Sequence, residues 1–337
     1  MNLFSSNKSE RKPSEAIQVG KPAGRKLNEF LINASVFMGF AGVLVFFSIS
    51  SSSFLTGANI TDIFLRISIT GPIAFGIMLS IILKGINLTP GAVVGLVGLT
   101  VTATIRAGYA LPTAIFLAFL VGAGFGLVTA FAVAKAKMNP FIATVAIMFV
   151  GDSVARVTTQ GGLPIYIYRA PEAFSNIYRG STLFIPNPIF ILLVTVLIYY
   201  LVLERMKYGR RLYAAGLSIK AARAAGIRVN LYYGIAYFFA TLSAVLPGII
   251  VASQVRSGQP LIGHAYLWDG IGAAFLSTII SKGGRPNILG ALFGAVVLST
   301  VDNGLTLIGV PFYWKEFARG LIILAILVVA TLKNRRT

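Results

Sequence analysis

Cysteine is absent from the 337-residue chain, and histidine occurs once. The first absence excludes disulfides, thiolate metal sites and cysteine nucleophiles. The second leaves no histidine-rich zinc site, and no metal or cofactor is expected. Charge is also scarce: 12% of the residues are charged, against about 25% in ordinary soluble domains. Such a chain cannot coat a water-facing surface, which excludes ordinary soluble enzymes and disordered proteins. No Gly-x4-Gly-Lys-Ser/Thr stretch occurs, so the chain has no Walker-type phosphate loop. What is present is 56% hydrophobic residues and 35 glycines. That composition specifies an all-α polytopic membrane protein, since glycine is commoner in membrane helices than in soluble ones.

A spanning helix needs about 20 apolar residues. Ten segments qualify: 30–48, 62–83, 90–105, 110–134, 140–157, 184–203, 231–252, 262–280, 287–308 and 312–332. The third is short and glycine-rich, which suits a broken or partly inserted helix. Residues 1–29 read as a disordered polar tail, 30–332 as the membrane domain and 333–337 as a second tail. The first apolar run begins too far into the chain for a cleaved signal peptide and is expected to remain as an anchor. Ten spans place both termini on one side. With both inside, only Arg66, Arg106, Arg156, Arg169, Arg179, Arg256, Lys315 and Arg319 of the 29 basic residues fall outside the inside segments. This is the positive-inside bias, and it makes both termini cytoplasmic. It also accounts for the net charge of +19 without nucleic acid, because the chain has almost no solvated basic face.

Charge inside a bilayer costs about 2.5–3.5 kcal/mol per residue on insertion scales, so each acid near a span needs a partner or a task. Asp62–Arg66, Asp152–Arg156 and Glu316–Arg319 are spaced for local ion pairs on one helix face; a proton relay is the alternative. Asp269 and Asp302 have no base within a turn. They are expected to face another helix, where they hydrogen-bond, or a water-filled path that they line. His264 reads as a packed or interfacial residue.

The segment 204–230 is the longest inside loop. Ser218 to Ala225 is a run of good helix formers, with Ser218 as N-cap and Gly226 as stop. Ala214, Ala215, Ala221, Ala222, Ala224 and Ala225 form a small-residue patch among basic residues. A short helix of this kind fits a groove on a partner. Lying on anionic lipid is the rival reading, weakened because alanine buries little apolar area.

Here the sequence resembles the permease subunits of ABC importers of the ribose, xylose and galactose type. Tyr213, Ala214, Gly216, Ala221, Ala222, Arg223, Gly226 and Ile227 match that family's loop, with Ser218 where Asn is usual and Lys220 where an acid is common. Gly85-Ile86-Asn87-Leu88-Thr89-Pro90-Gly91 resembles its Gly-Ile-Asp-Leu-Ser-x-Gly block, with Asn87 for the usual Asp. Asn139-Pro140-Phe141-Ile142-Ala143-Thr144 and Leu267-Trp268-Asp269-Gly270-Ile271-Gly272-Ala273-Ala274 resemble two further blocks. The likeness runs from about residue 55 to 330.

The resemblance implies a pore made by two copies, or by this chain and a paralogue, in the bacterial plasma (inner) membrane. It implies a cytoplasmic ABC ATPase subunit gripping the 204–230 loop at Ala214, Gly216, Ala221, Ala222, Arg223 and Gly226. It also implies a periplasmic or extracellular solute-binding protein that delivers a small polar solute, most simply a monosaccharide. No bond-making chemistry is expected in this chain. Small and polar groups are expected along the translocation pathway: Asn87, Thr89, Phe141, Thr144, Asp269 and Asn303, with Phe141 stacking on a sugar face, closing an apolar gate or simply packing. The rival function is an ion-coupled secondary transporter that needs no ATPase and uses Asp269 and Asp302. The outside loop 158–183 presents Tyr166, Tyr168, Arg169, Phe174, Tyr178 and Arg179, which suit either a protein interface or an aromatic belt. Gly91/Gly95, Gly122/Gly126 and Gly290/Gly294 have the spacing that lets helices approach closely. The recurrence of Gly85, Gly91, Gly95 as Gly284, Gly290, Gly294 suits an internal duplication or chance.

Overall fold

A computed structural model describes residues 23–281 and 284–335, without the side chains near either end. Most of the tail expected at 1–29, the loop residues Lys282 and Gly283, and the last two residues lie outside the described residues. The architecture is all-α: α1 (Ala23–Ser50), α2 (Gly57–Ile82), α3 (Pro90–Arg106), α4 (Leu111–Ala130), α5 (Pro140–Thr158), α6 (Glu172–Arg179), α7 (Asn187–Tyr200), α8 (Lys207–Leu217), α9 (Ile219–Ala224), α10 (Val229–Leu242), α11 (Val245–Val255), α12 (Gly263–Ile280), α13 (Ile288–Leu307) and α14 (Phe312–Arg335). Single π-helical turns, Phe131–Lys135 and Leu201–Arg205, extend α4 and α7 to a basic end.

Local sequence explains the boundaries. Proline stands in the first turn of α3, α4, α5 and α7, where its missing N–H is not needed and its fixed φ favours the helix. Asn139 caps α5 by accepting from the amides of Phe141 and Ile142. Asn287 caps α13 through the amide of Gly290.

Among the described residues, six helices are long and apolar enough to cross a membrane: 57–82, 111–135, 140–158, 187–205, 229–255 and 288–307. This makes the chain a polytopic helical membrane protein. Each of the ten apolar segments is helical, but two details differ from expectation. The glycine-rich third segment is one unbroken helix, α3, buried along most of its length. The break falls instead at Ser243–Ala244, between α10 and α11. Pro247 lies four residues beyond Ser243, so its ring collides with the helical position of that carbonyl and offers it no N–H.

Helix α2 is the central post: every residue from Ile67 to Ser80 is buried. It packs against α7, α10, α12 and α13. By contrast α4 turns Phe116, Leu120 and Leu127 outward and α7 turns out Leu193, Leu197 and Ile198. A helix apolar on all sides with an exposed apolar face suits lipid rather than water.

The glycine pairs sit at helix crossings. A Cβ on Gly91 would meet the Leu267 side chain at 2.8 Å, and one on Gly294 the Ala273 carbonyl at 2.5 Å. Thus α12 is held by α3 near its start and by α13 near its end. Gly122 meets Val245 in the same way, and Gly126 meets Phe238.

Two short antiparallel ribbons complete the fold. Ile165–Tyr166 pairs with Ser257–Gly258, and Ser181–Thr182 pairs with Ile185–Pro186. The first joins two loops that the topology reading places on the same, outer side.

Candidate functional site

The segment Leu83–Thr89, between α2 and α3, is the centre of a buried polar cluster. Asn87 and Thr89 are fully buried. The Asn87 side-chain oxygen accepts from the Thr89 amide at 3.0 Å, an Asx turn that leads the chain into α3. Its amide nitrogen donates to Thr241 Oγ1 at 3.0 Å, and its backbone N–H donates to Ser80 Oγ at 3.1 Å. The hydroxyls of Thr89 and Thr129 lie 3.4 Å apart. Thr144 Oγ1 donates to the Ile86 carbonyl at 3.3 Å.

Three of the expected pathway residues, Asn87, Thr89 and Thr144, therefore meet in one cluster, together with Ser80, Thr129 and Thr241. Those last three were not legible as members: each is a single hydroxyl in an apolar run. Their hydrogen bonds matter because each buried polar group left unpaired costs about 1–3 kcal/mol.

Asp269 lies in a second cluster. Arg319 Nε is 2.7 Å from Asp269 Oδ1, and Arg319 Nη2 is 3.4 Å from Asp302 Oδ1. Arg66 pairs with the other oxygen of Asp302. Two arginines and two carboxylates from α2, α12, α13 and α14 thus form one network of zero net charge. The local pairs expected at Asp62–Arg66, Asp152–Arg156 and Glu316–Arg319 do not form among the described residues: Arg66 and Arg319 turn to acids on other helices, and Arg156 is exposed. Asp152 pairs with His264 instead, whose Nε2 lies 3.0 Å from both carboxylate oxygens. His264 is thus a packed residue with an acidic partner on α5.

Asn303 follows Asp302 on α13. It is buried, and its side-chain oxygen has no partner. Phe141 stands apart at the start of α5, half exposed at 53%. Two cavities, of about 880 and 690 Å³, are lined by none of the six expected pathway residues.

The segment 204–230 folds into α8 and α9. Ser218 caps α9, its hydroxyl accepting from the Ala221 amide at 3.3 Å. Gly226 ends it with φ +75°, a backbone state that glycine adopts without penalty. The alanine patch divides: Ala215 and Ala222 are buried, while Ala221, Ala224 and Ala225 face outward. Arg223 is also exposed, and Ala214 lines the larger cavity.

Contacts with α2, with α10 and with the segment before α13 tie this segment to the bundle. A Cβ on Gly216 would lie 2.0 Å from the Ile82 carbonyl, so α8 rests directly on the end of α2. The Tyr213 hydroxyl donates to the Pro286 carbonyl at 2.7 Å; burial raises its pKa and keeps it a neutral donor. Arg211 donates to the Tyr232 hydroxyl at 3.0 Å, while Tyr208 stacks on the Tyr232 ring at 5.6 Å.

On the opposite end, α6 packs on α11. Ser253 Oγ donates to the Phe174 carbonyl at 2.6 Å, and Gln254 donates to the Tyr178 hydroxyl at 2.9 Å. Phe174 is fully buried and is a core residue rather than a docking residue. Tyr168, at 90% exposure, is open to a partner.

A central post, close glycine crossings and a short basic helix pair resting on the post are the main features of the bundle. Residues 59–327 match the family described as the permease component of branched-chain amino acid transport systems. The chain belongs to that family.

Among the relatives of this permease is the ribose import permease protein of Bacillus subtilis (strain 168), 35% identical over 89% of this chain and 92% of that protein. The galactofuranose transporter permease protein of Escherichia coli (strain K12) is 32% identical over 80% of this chain and 78% of that one. The D-allose transport system permease protein of the same organism is 28% identical over 84% and 86%. The permease is a transport subunit, not an enzyme. Its two polar clusters hold helices together, and α8–α9 give one end of the bundle a shaped basic surface.

Proposed function

We propose that this permease carries a monosaccharide across the bacterial plasma membrane as the pore-forming subunit of an ABC importer. It would be paired with a second copy or a paralogue, energised by a cytoplasmic ABC ATPase subunit and supplied by an external solute-binding protein. One observation carries the reading: the near full-length similarity to permeases whose names specify ribose, galactofuranose and allose. The broader family description names branched-chain amino acids; the sugar assignment follows the individual relatives.

The proposal includes ten spans with both termini in the cytoplasm. The pairing of Ile165–Tyr166 with Ser257–Gly258 supports it, because ten spans place both loops outside. The contact of Tyr213 with Pro286 supports it equally, because both segments then lie inside. The membrane domain would run from residue 30 to 332, with tails at 1–29 and 333–337, loop 204–230 inside and loop 158–183 outside.

For the pathway, Asn87, Thr89 and Thr144 would fix the walls near the cytoplasmic end. Asp269 would do so nearer the outside, through its bond to Arg319. Asn303, with its unpartnered oxygen, and Phe141, with its open ring, would meet the solute directly. Ala214, Gly216, Ala221, Ala222, Arg223 and Gly226 would form the surface on which the ATPase acts.

The test is uptake of labelled ribose, allose and galactose in cells expressing this chain with its ATPase and binding protein. Uptake that survives a protonophore but fails when ATP is depleted is the expected result. Uptake abolished by the protonophore with ATP intact would favour the ion-coupled alternative.

A further inference from the structure

Lys84, Lys137 and Arg223 come from three separate segments and line one cavity of about 320 Å³. Lys84 follows α2, Lys137 follows the π-turn after α4, and Arg223 belongs to α9. Among the described residues, no carboxylate lines this cavity and none of the three forms an ion pair. All three are exposed.

The backbone marks the same place. Lys84 and Lys137 have φ of +61° and +56°. Left-handed positions after a helix are where glycine is the ordinary residue. Of the seven non-glycine residues with positive φ among those described, two are lysines on the rim of this one cavity. A backbone penalty borne at both positions is accounted for if the charge is what the site uses.

We propose that this basic pocket receives a carboxylate-bearing segment of the ATPase subunit, so that the partner is held by charge at the pocket and by shape on α9. The inference rests on the reading that this permease works with such a subunit. The chemistry favours a protein carboxylate. Three cations with no internal anion attract an acidic group and form charge-assisted hydrogen bonds with it. The pocket also takes Ile219 and Arg223 from α9, the helix on which the small residues Ala221 and Ala224 are exposed. A lipid occupant would want a broad apolar floor, and the exposed large apolar side chains lining the cavity are Met138 and Ile219.

The experiment uses the tagged full-length chain co-purified with its ATPase in mild detergent, with retained ATPase activity followed as salt is raised. The key variant is the double substitution Lys84→Gly, Lys137→Gly. Glycine accepts both φ values, so the fold is kept while two cations are removed; the reversal Arg223→Glu is the second variant. The double variant is expected to bind the ATPase about tenfold more weakly at low salt, with a shallower salt dependence. Arg223→Glu is expected to regain binding when a partner carboxylate is changed to lysine.

Native-like binding and salt dependence in the double variant, with the native complex intact, would overturn this inference alone. Loss of bound anionic phospholipid without loss of ATPase would also overturn it, in favour of a lipid occupant. A native chain that retains no ATPase in any mild detergent overturns both this inference and the importer reading beneath it.

Discussion

Arg319 on α14 holds Asp269 on α12, its Nε 2.7 Å from the carboxylate. The same guanidinium also reaches Asp302, which Arg66 neutralises from the other side. Removing one member leaves an uncompensated charge between helices. Arg319→Met is therefore expected to destabilise the permease by about 3–5 kcal/mol, read as a lowered unfolding temperature in detergent. Adding Asp269→Asn should recover part of that loss. A double variant no more stable than Arg319→Met would show that the pair does not set the cost.

Asn87 and Thr241 should behave as one unit. Either Asn87→Ala or Thr241→Val leaves a buried group unpaired and is expected to cost about 1–3 kcal/mol. The double variant should cost clearly less than the sum. Strict additivity in a thermal-unfolding double-mutant cycle would mean that the 3.0 Å bond between them contributes nothing.

Gly216 gives a test of coupling apart from stability. A side chain there drives into the Ile82 carbonyl, lifting α8 off the end of α2. Gly216→Val is expected to leave ATP hydrolysis by the assembled transporter running at its basal rate, with solute stimulation and uptake lost. Stimulation equal to that of the native complex would show that the contact is not needed.

The chain's lack of cysteine makes its topology directly measurable. Tyr168→Cys and Lys220→Cys place single thiols at exposed positions on opposite ends of the molecule. In intact cells a membrane-impermeant maleimide should label the first and not the second, until the membrane is permeabilised. Labelling of both, or of Lys220→Cys alone, would contradict ten spans with cytoplasmic termini.

What could be read from sequence follows the range of the forces involved. Helix α9 was legible to the residue because Ser218 and Gly226 act through hydrogen bonds and backbone freedom within one turn. The glycine crossings were legible as a kind of contact, though not which helices would meet. The charge network was legible only as a debt: Asp269 and Asp302 lacked local partners. Arg66 lies 236 residues from Asp302 in sequence, and His264 lies 112 from Asp152, so spacing along one helix pointed to the wrong acids. The helix break was also missed. Pro247 marks it, yet Pro72 leaves α2 continuous, because a buried membrane helix can satisfy the freed carbonyl from its neighbours.

The break at Ser243–Ala244 divides one span between two loyalties. Its first half, α10, is fastened to α8 through Tyr232 and to the end of α2 through Tyr233, whose hydroxyl donates to the Leu83 carbonyl at 3.3 Å. Its second half, α11, is fastened to α6 through Ser253 and Gln254. The fittings at the two ends of this span are therefore bolted to separate rods meeting at a two-residue joint. A tilt applied to α8 therefore bears directly on one rod and reaches α6 only across the joint.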